Sequence, residues 1–248
     1  MLKDQLIVVT GGASGIGRAT AVAAAAAGAR VVLSDRDATQ GCAAAESIGE
    51  TAFFVEADVA RSDAVSELFE TVAREHGRIA GVVNNAGVGC PIMPTASHSE
   101  AEWDRIISID LKGVWLCMRE AIRLMLADGK GGSIVNVSSV AGLVGFPGAA
   151  PYAAAKHGVV GLTKTAAVEY APANIRVNAV CPGGVETGIL EELVGGGAVT
   201  RADLEAAQPI GRIGRPEEIA EAIVWLLSDA ASMTTGAAIP IDGGWTAR

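Results

Sequence analysis

Positive charge is scarce in this 248-residue chain, where 19 lysines and arginines stand against 28 aspartates and glutamates for a formal net charge of −9. That balance argues against nucleic acid or an anionic membrane surface as a main partner, although a local basic site for a phosphate remains allowed. Cysteine is scarce as well. Cys42, Cys90, Cys117 and Cys181 show neither metal-ligand spacing nor a Cys-x-x-Cys pair, so no metal is expected and the thiols read as reduced and packed inside a cytosolic protein. Long apolar runs are missing. The stretch Ala19 to Ala29 is alanine-rich, is broken by Thr20 and Gly28, and is too short to cross a bilayer. The N-terminal residues lead straight into a strand-like segment with no charged region, apolar core and cleavage site before it, so a soluble, cytoplasmic protein is expected.

Apolar, β-branched runs are abundant, and they alternate with helical patterns. The runs are Leu6–Thr10, Arg30–Ser34, Thr51–Val55, Ala80–Val83, Ser133–Val137, Ile175–Val180 and Ala237–Ile241. They are short, apolar on both faces and bounded by turns, as buried parallel strands are. Helical stretches fall between them at Gly15–Gly28, Ala38–Ile48, Ser62–His76, Glu100–Leu126, Tyr152–Tyr170 and Pro216–Ser228. The alternation predicts an α/β, doubly wound Rossmann fold: about seven parallel strands with helices on both faces. No linker, repeat or low-complexity block divides the chain, so residues 1–248 are expected to form a single domain. The segment Thr187–Pro209 differs in texture, with three glycines at 195–197. It reads either as a mobile lid, centred on 188–209, or as a surface insertion.

The first strand runs into Thr10-Gly11-Gly12-Ala13-Ser14-Gly15-Ile16-Gly17. A glycine turn between strand and helix lets backbone approach a pyrophosphate and aims the helix N-terminus at it. No Gly-Lys-Ser/Thr follows, which excludes a P-loop. The second strand ends at Asp35, 20 residues after Gly15. An acidic residue there suits the ribose hydroxyls of NAD and repels the 2′-phosphate of NADP, a repulsion that Arg36 softens. Asp58 and Val59 follow the third strand, and Asn84-Asn85-Ala86-Gly87 closes the fourth. Four strand ends thus point at one crevice.

Tyr152 and Lys156 lie four residues apart on a predicted helix and share one face. A lysine ammonium beside a phenol is expected to lower the phenol's pKa toward the range where it serves as acid or base.

These motifs, together with Ser139 and Pro182-Gly183-Gly184-Val185-Glu186-Thr187, occur in the order found in the short-chain dehydrogenase/reductase family, which the chain resembles over essentially its whole length. The resemblance implies hydride transfer between a nicotinamide and a carbonyl or alcohol carbon. Tyr152 would exchange the proton, and Lys156 would tune Tyr152 and hold the nicotinamide ribose. Ser139 would orient the substrate oxygen; strand alternation points Ser138 the other way. Pro182, Gly183, Val185 and Thr187 would receive the nicotinamide. NAD(H) is expected over NADP(H), because Ser14 stands where NADP-preferring relatives often carry a basic residue.

One position departs from the family pattern. Asp110 stands where relatives usually place an asparagine that supports a proton relay from a kinked helix. An Asp keeps the acceptor and loses the amide donor, so it is either a tolerated near-isostere or a group that alters the pH profile. The substrate is expected to be a hydrophobic or cyclic secondary alcohol or ketone, met by Cys90, Ile92, Met93, Leu143, Val144, Phe146, Ile189, Leu190 and Leu193. A 3-oxoacyl thioester reductase and a non-catalytic nucleotide-binding protein are the alternatives. His98 and His157 are not expected in the chemistry. The resemblance also implies a homotetramer, joined through the two long helices and the C-terminal strand, with Trp115, Leu116, Met118, Val159, Val160 and Leu162 among the interface candidates on the helices.

Overall fold

A computed structural model describes residues 1–247. Seven parallel strands form one sheet in the order β3-β2-β1-β4-β5-β6-β7. They are β1 (Leu6–Thr10), β2 (Arg30–Asp35), β3 (Ala52–Glu56), β4 (Ile79–Asn84), β5 (Gly132–Val137), β6 (Ile175–Pro182) and β7 (Ala238–Ile241). The strand order reverses beside β1, whose neighbours are β2 and β4. In a parallel sheet that reversal opens a crevice at the carboxyl ends of the strands.

Strand residues alternate between two cores. Leu6, Val8, Val82 and Ile134 face one layer, packed by α3 (Ser62–His76), α5 (Val114–Asp128) and α6 (Ala150–Tyr170). Ile7, Val9, Val83 and Val135 face the other, packed by α1 (Gly15–Ala26), α2 (Ala38–Ile48) and α9 (Pro216–Leu227). Each such side chain, fully buried, contributes roughly 1.5–3 kcal/mol relative to exposure. On its buried face α1 offers only Gly17, Thr20, Ala21 and Ala24, so the neighbouring α9 can come close.

Three expectations need correcting. The single helix expected over Glu100–Leu126 is two helices, α4 (Glu100–Ile107) and α5, joined by a π-helical turn at Ser108–Gly113. Such a turn shifts the helical phase, but a stretch with apolar residues on more than one face does not reveal the shift. Of the interface candidates, Leu116, Met118, Val159 and Val160 are buried within the chain's own core, whereas Trp115 is exposed. Of the cysteines, Cys117 and Cys181 are buried, but Cys42 is exposed and Cys90 half-buried. The segment after β6 is ordered as α7 (Gly188–Gly195) and α8 (Arg201–Ala207).

Buried polar bonds pin α6 to the sheet. The Asn84 amide donates to Asn136 Oδ1 at 2.8 Å, Asn136 donates to Thr163 Oγ1 at 2.9 Å, and Thr163 donates to the Val159 carbonyl at 2.8 Å. At the end of β5 the Ser138 hydroxyl donates to the Lys156 carbonyl at 2.9 Å. Groups buried this deeply are costly to leave unpaired, so the network holds one register of α6 against β5.

The glycine turn is equally constrained. Gly11 and Gly15 have φ of +63° and +51°, in the left-handed region that favours glycine. A Cβ on Gly17 would stand 2.0 Å from the Gly11 carbonyl oxygen. Gly17→Ala is therefore expected to push α1 off the turn and lower stability by about 2–3 kcal/mol. Urea unfolding checks this: the midpoint should fall with an unchanged slope.

Candidate active site

The carboxyl edge of the sheet opens into a cleft of about 780 Å³. At one end lies the glycine turn. Gly11, Ser14, Gly15 and Ile16 line it, while Gly17 is buried behind and serves the packing of α1. Ser14, the N-cap of α1, makes no side-chain cap, and no acidic residue sits in the first turn among the described residues. The head of a twelve-residue helix thus meets the cleft with free N–H groups, a setting that favours an anion. A Cβ on Gly15 would come 3.2 Å from Thr187 Cγ2, so the missing side chain leaves the gap between the turn and the loop after β6.

Asp35 sits at the carboxyl end of β2 and lines the cleft. It also shapes the turn, accepting from the Ala13 N–H at 3.2 Å and the Asp37 N–H at 3.2 Å. A carboxylate has lone pairs to spare for two hydroxyl donors besides these. Arg36 lies exposed beside it at the cleft wall, and Asp58 and Val59 line the floor. Asn85 uses its amide on the Thr10 and Gly11 carbonyls, both at 3.0 Å. It thereby ties the end of β4 to the turn, while Ala86 and Gly87 form the adjoining wall. Pro182, Gly183, Val185 and Thr187 line the opposite side. The pieces fit a dinucleotide: an uncapped helix head for the pyrophosphate, an acidic strand end for a ribose, and glycines where side chains would intrude.

Tyr152 and Lys156 reach the cleft from the first turns of α6, and Ser139 reaches it from just past β5. The Lys156 ammonium lies 5.3 Å from the centre of the Tyr152 ring and donates to the Val137 carbonyl at 3.3 Å. Ser139 Oγ accepts from the Ala141 N–H at 3.2 Å and faces the cleft, whereas the Ser138 hydroxyl is spent on α6. Burial pushes the Tyr152 phenol above its ordinary value; Lys156 and the Ser139 hydroxyl pull it down, and Asp110 pushes it further up. The expected net depression by Lys156 is therefore corrected: burial outweighs it. For Lys156, burial opposes the charge, but Asp110 and Tyr152 overcome it and hold the ammonium above its ordinary value.

Asp110 does not line the cleft. It is fully buried in the π-helical turn, 3.1 Å from Lys156 Nζ. Its Oδ1 accepts from the Val88 N–H at 2.9 Å. Its Oδ2 faces Lys156 Nζ and has no other polar partner among the described residues.

The far end of the cleft holds Cys90, Ile92, Phe146, Ile189, Leu190 and Leu193 from the expected apolar set; Met93, Leu143 and Val144 lie outside it. Trp245 joins this end with its ring 5.9 Å from that of Phe146. Arg105 and Glu192 also line it, and neither stood out in the sequence. Both are exposed charged residues on regular helices, α4 and α7, and such residues read in a sequence as an ordinary solvated face. Leu190, Leu204 and Ile213 form a small core of their own beneath α7 and α8. Gln208, itself buried, ties this cover to β6: its Oε1 accepts from the Gly184 N–H at 3.0 Å and its Nε2 donates to the Arg212 carbonyl at 2.7 Å. His98 contacts the Gly148 carbonyl through Nε2, and His157 is exposed on α6; neither lines the cleft.

A sequence profile for a family described as enoyl-(acyl carrier protein) reductase matches residues 11–246. Cis-4-hydroxycyclohexanecarboxylate dehydrogenase of Sinomonas cyclohexanicum is 47% identical over 98% of this chain and 97% of its own. 2,5-Dichloro-2,5-cyclohexadiene-1,4-diol dehydrogenase of Sphingobium indicum is 42% identical over 99% of this chain and 98% of its own. The crystal structure of a 3-ketoacyl-(acyl-carrier-protein) reductase from Brucella melitensis, complexed with NADH, superposes with a TM-score of 0.94 at 34% identity, covering 99% of this chain and 100% of that one. Likeness of this extent, end to end, settles where the chain stands: it belongs to the short-chain dehydrogenase/reductase family, nicotinamide-dependent oxidoreductases of alcohols and ketones.

Proposed function

We propose that the protein interconverts a hydrophobic or cyclic secondary alcohol and its ketone, using NAD(H) rather than NADP(H). The observation that carries this reading is the meeting of Tyr152, Lys156 and Ser139 in the same cleft as the glycine turn and Asp35. A bound nicotinamide would take up or supply the hydride. Tyr152 gives the proton to the ketone oxygen or takes it from the alcohol. Ser139 holds that oxygen in place by hydrogen bonding. Lys156 lends Tyr152 positive charge and offers its ammonium to the nicotinamide ribose. Pro182, Gly183, Val185 and Thr187 receive the nicotinamide. α7 and α8 act as a cover that excludes water from the apolar end.

A ring-shaped substrate is favoured by Phe146, Trp245, Ile92 and Leu193 around that end, and by the names of the two relatives, both of which act on six-membered carbocycles. The runner-up is a 3-oxoacyl thioester reductase, favoured by the family description and by the Brucella melitensis structure. Asp35 and the absence of a basic residue in the glycine turn speak against the NADPH preference that such a reading carries. The whole chain acts as one catalytic domain in the cytoplasm; none of its described helices is long and apolar enough to cross a membrane. Exposed Trp103 and Trp115 on α4 and α5 would join copies of the chain into a homotetramer.

Tyr152→Phe removes the proton carrier and leaves the ring. Turnover of cyclic secondary alcohols, followed at 340 nm, should fall by roughly a thousandfold, while NAD affinity by calorimetry stays within a few-fold. Turnover persisting near the starting level would sink the assignment. Asp35→Ala removes a charged acceptor from the ribose end. Its kcat/KM with NAD should drop by about 10–100-fold, with NADP gaining relative to NAD; a starting enzyme that already prefers NADP would refute the cofactor choice.

A further inference from the structure

The Lys156–Asp110 pair stands apart from the rest of the site because both charges are buried, with side-chain exposures of 5% and 0%. Among the described residues Asp110 Oδ2 has no polar partner besides Lys156, so the adjacent ammonium at 3.1 Å is its compensation. Gly87 keeps the space beside both atoms clear: a Cβ there would lie 3.1 Å from Asp110 Oδ2 and 3.4 Å from Lys156 Nζ. The groups that act on Tyr152 come from four places: Lys156 on its own helix, Asp110 on the π turn, Ser139 past β5 and Cys90 past β4. Lys156 in turn feels Asp110, Tyr152 and Cys181 of β6. Cys181 is held up to about 11 by burial, so it adds no charge near neutrality.

Counting charge in this cluster, whose ammonium and carboxylate are buried and whose phenol is half-buried at the cleft wall, decides what Asp110 does. With the carboxylate, the ammonium and a neutral phenol, the sum is zero. Ionising the phenol makes it −1, an excess charge in a poorly solvated place. Without the carboxylate the cluster starts at +1, and ionising the phenol brings it to zero.

We propose that Asp110 is a positioning residue that sets the net charge of the Tyr152–Lys156 cluster at zero and so withholds the phenolate until positive charge enters the cleft. The inference rests on the assignment of Tyr152 as the proton carrier, and it deepens that assignment.

The chain has only two tyrosines, Tyr152 and Tyr170, so in a Tyr170→Phe background tyrosinate absorbance near 295 nm reports Tyr152 alone. The experiment compares that protein with its Asp110→Asn counterpart, cofactor-free, at a fixed pH near 9.5, with circular dichroism confirming the fold of both. Asn keeps the acceptor for the Val88 N–H and deletes the charge. The phenolate fraction should rise several-fold, equivalent to a fall of about one pH unit or more in the Tyr152 midpoint. The pH at which kcat/KM for alcohol oxidation is half-maximal should fall by a similar amount. Equal phenolate fractions overturn the proposal, as does a proton lost at lower pH with no phenolate signal, since Lys156 would then be its source. A phenolate that shifts while the kinetic profile stays put upholds the charge effect and removes Tyr152 from the chemistry. An unchanged phenolate in an enzyme that still needs Tyr152 does the opposite.

Discussion

Everything in the site hangs on where α6 is held. Its first turns carry the phenol and the ammonium, and a helix packed only by apolar contacts could slide or roll by a fraction of a turn at little cost. Here it cannot. Ser138 bonds to the carbonyl of Lys156 itself, and the Asn84–Asn136–Thr163 chain fixes the helix two turns further on. Each bond is buried, so breaking one strands a polar group without water. The sheet thus dictates, through a handful of side-chain bonds, how far Tyr152 stands from the glycine turn.

The second constraint is the π-helical turn. A regular helix from Glu100 to Asp128 would carry residue 110 in a different phase. The turn makes room for Asp110 beneath the cleft, against Lys156 and the Val88 N–H. Local irregularity of this kind costs hydrogen-bond quality and is kept where it positions a side chain. The cleft between these fixed walls is polar and acidic toward Asp35 and Asp58, and apolar toward Phe146 and Trp245. The polar end suits a hydroxyl-rich dinucleotide and the apolar end a carbon ring.

Much of this was legible in the amino-acid order, because strand ends in a parallel sheet fall on one edge whatever the helices do. Gly11–Gly15, Asp35, Asp58, Asn85, Ser139, Tyr152 and Thr187 each follow a strand or open a helix, and so the periodic pattern alone sends them to the same crevice. What stayed hidden depended on phase and on burial. The π turn does not show in the amino-acid order because apolar residues on more than one face of the stretch mask the change of phase. Arg105 and Glu192 stay hidden because a charged residue on a regular helix reads as a solvated face. Trp245 comes from the C-terminal loop, where no period applies. The pull of Lys156 on Tyr152 was read from spacing, but spacing carries no information about solvent, and burial reversed the net effect. Hydrophobicity likewise offers Leu116 and Val159 as interface candidates, and only the packing of α5 and α6 into the core shows them to be buried within the chain.

Thr10 has a consequence for how the molecule comes into being. Its hydroxyl donates to the Val83 carbonyl at 3.4 Å and accepts from the backbone N–H groups of Asn85 and Ala86, the former 75 residues away along the chain. The crevice beside the glycine turn is therefore closed only when the first and fourth strands meet, a contact between distant parts of the chain and of a kind that forms slowly in folding. A molecule that fits the finished crevice has nothing to grip in the unfinished one. Its concentration then adds to the stability of the complete fold by mass action.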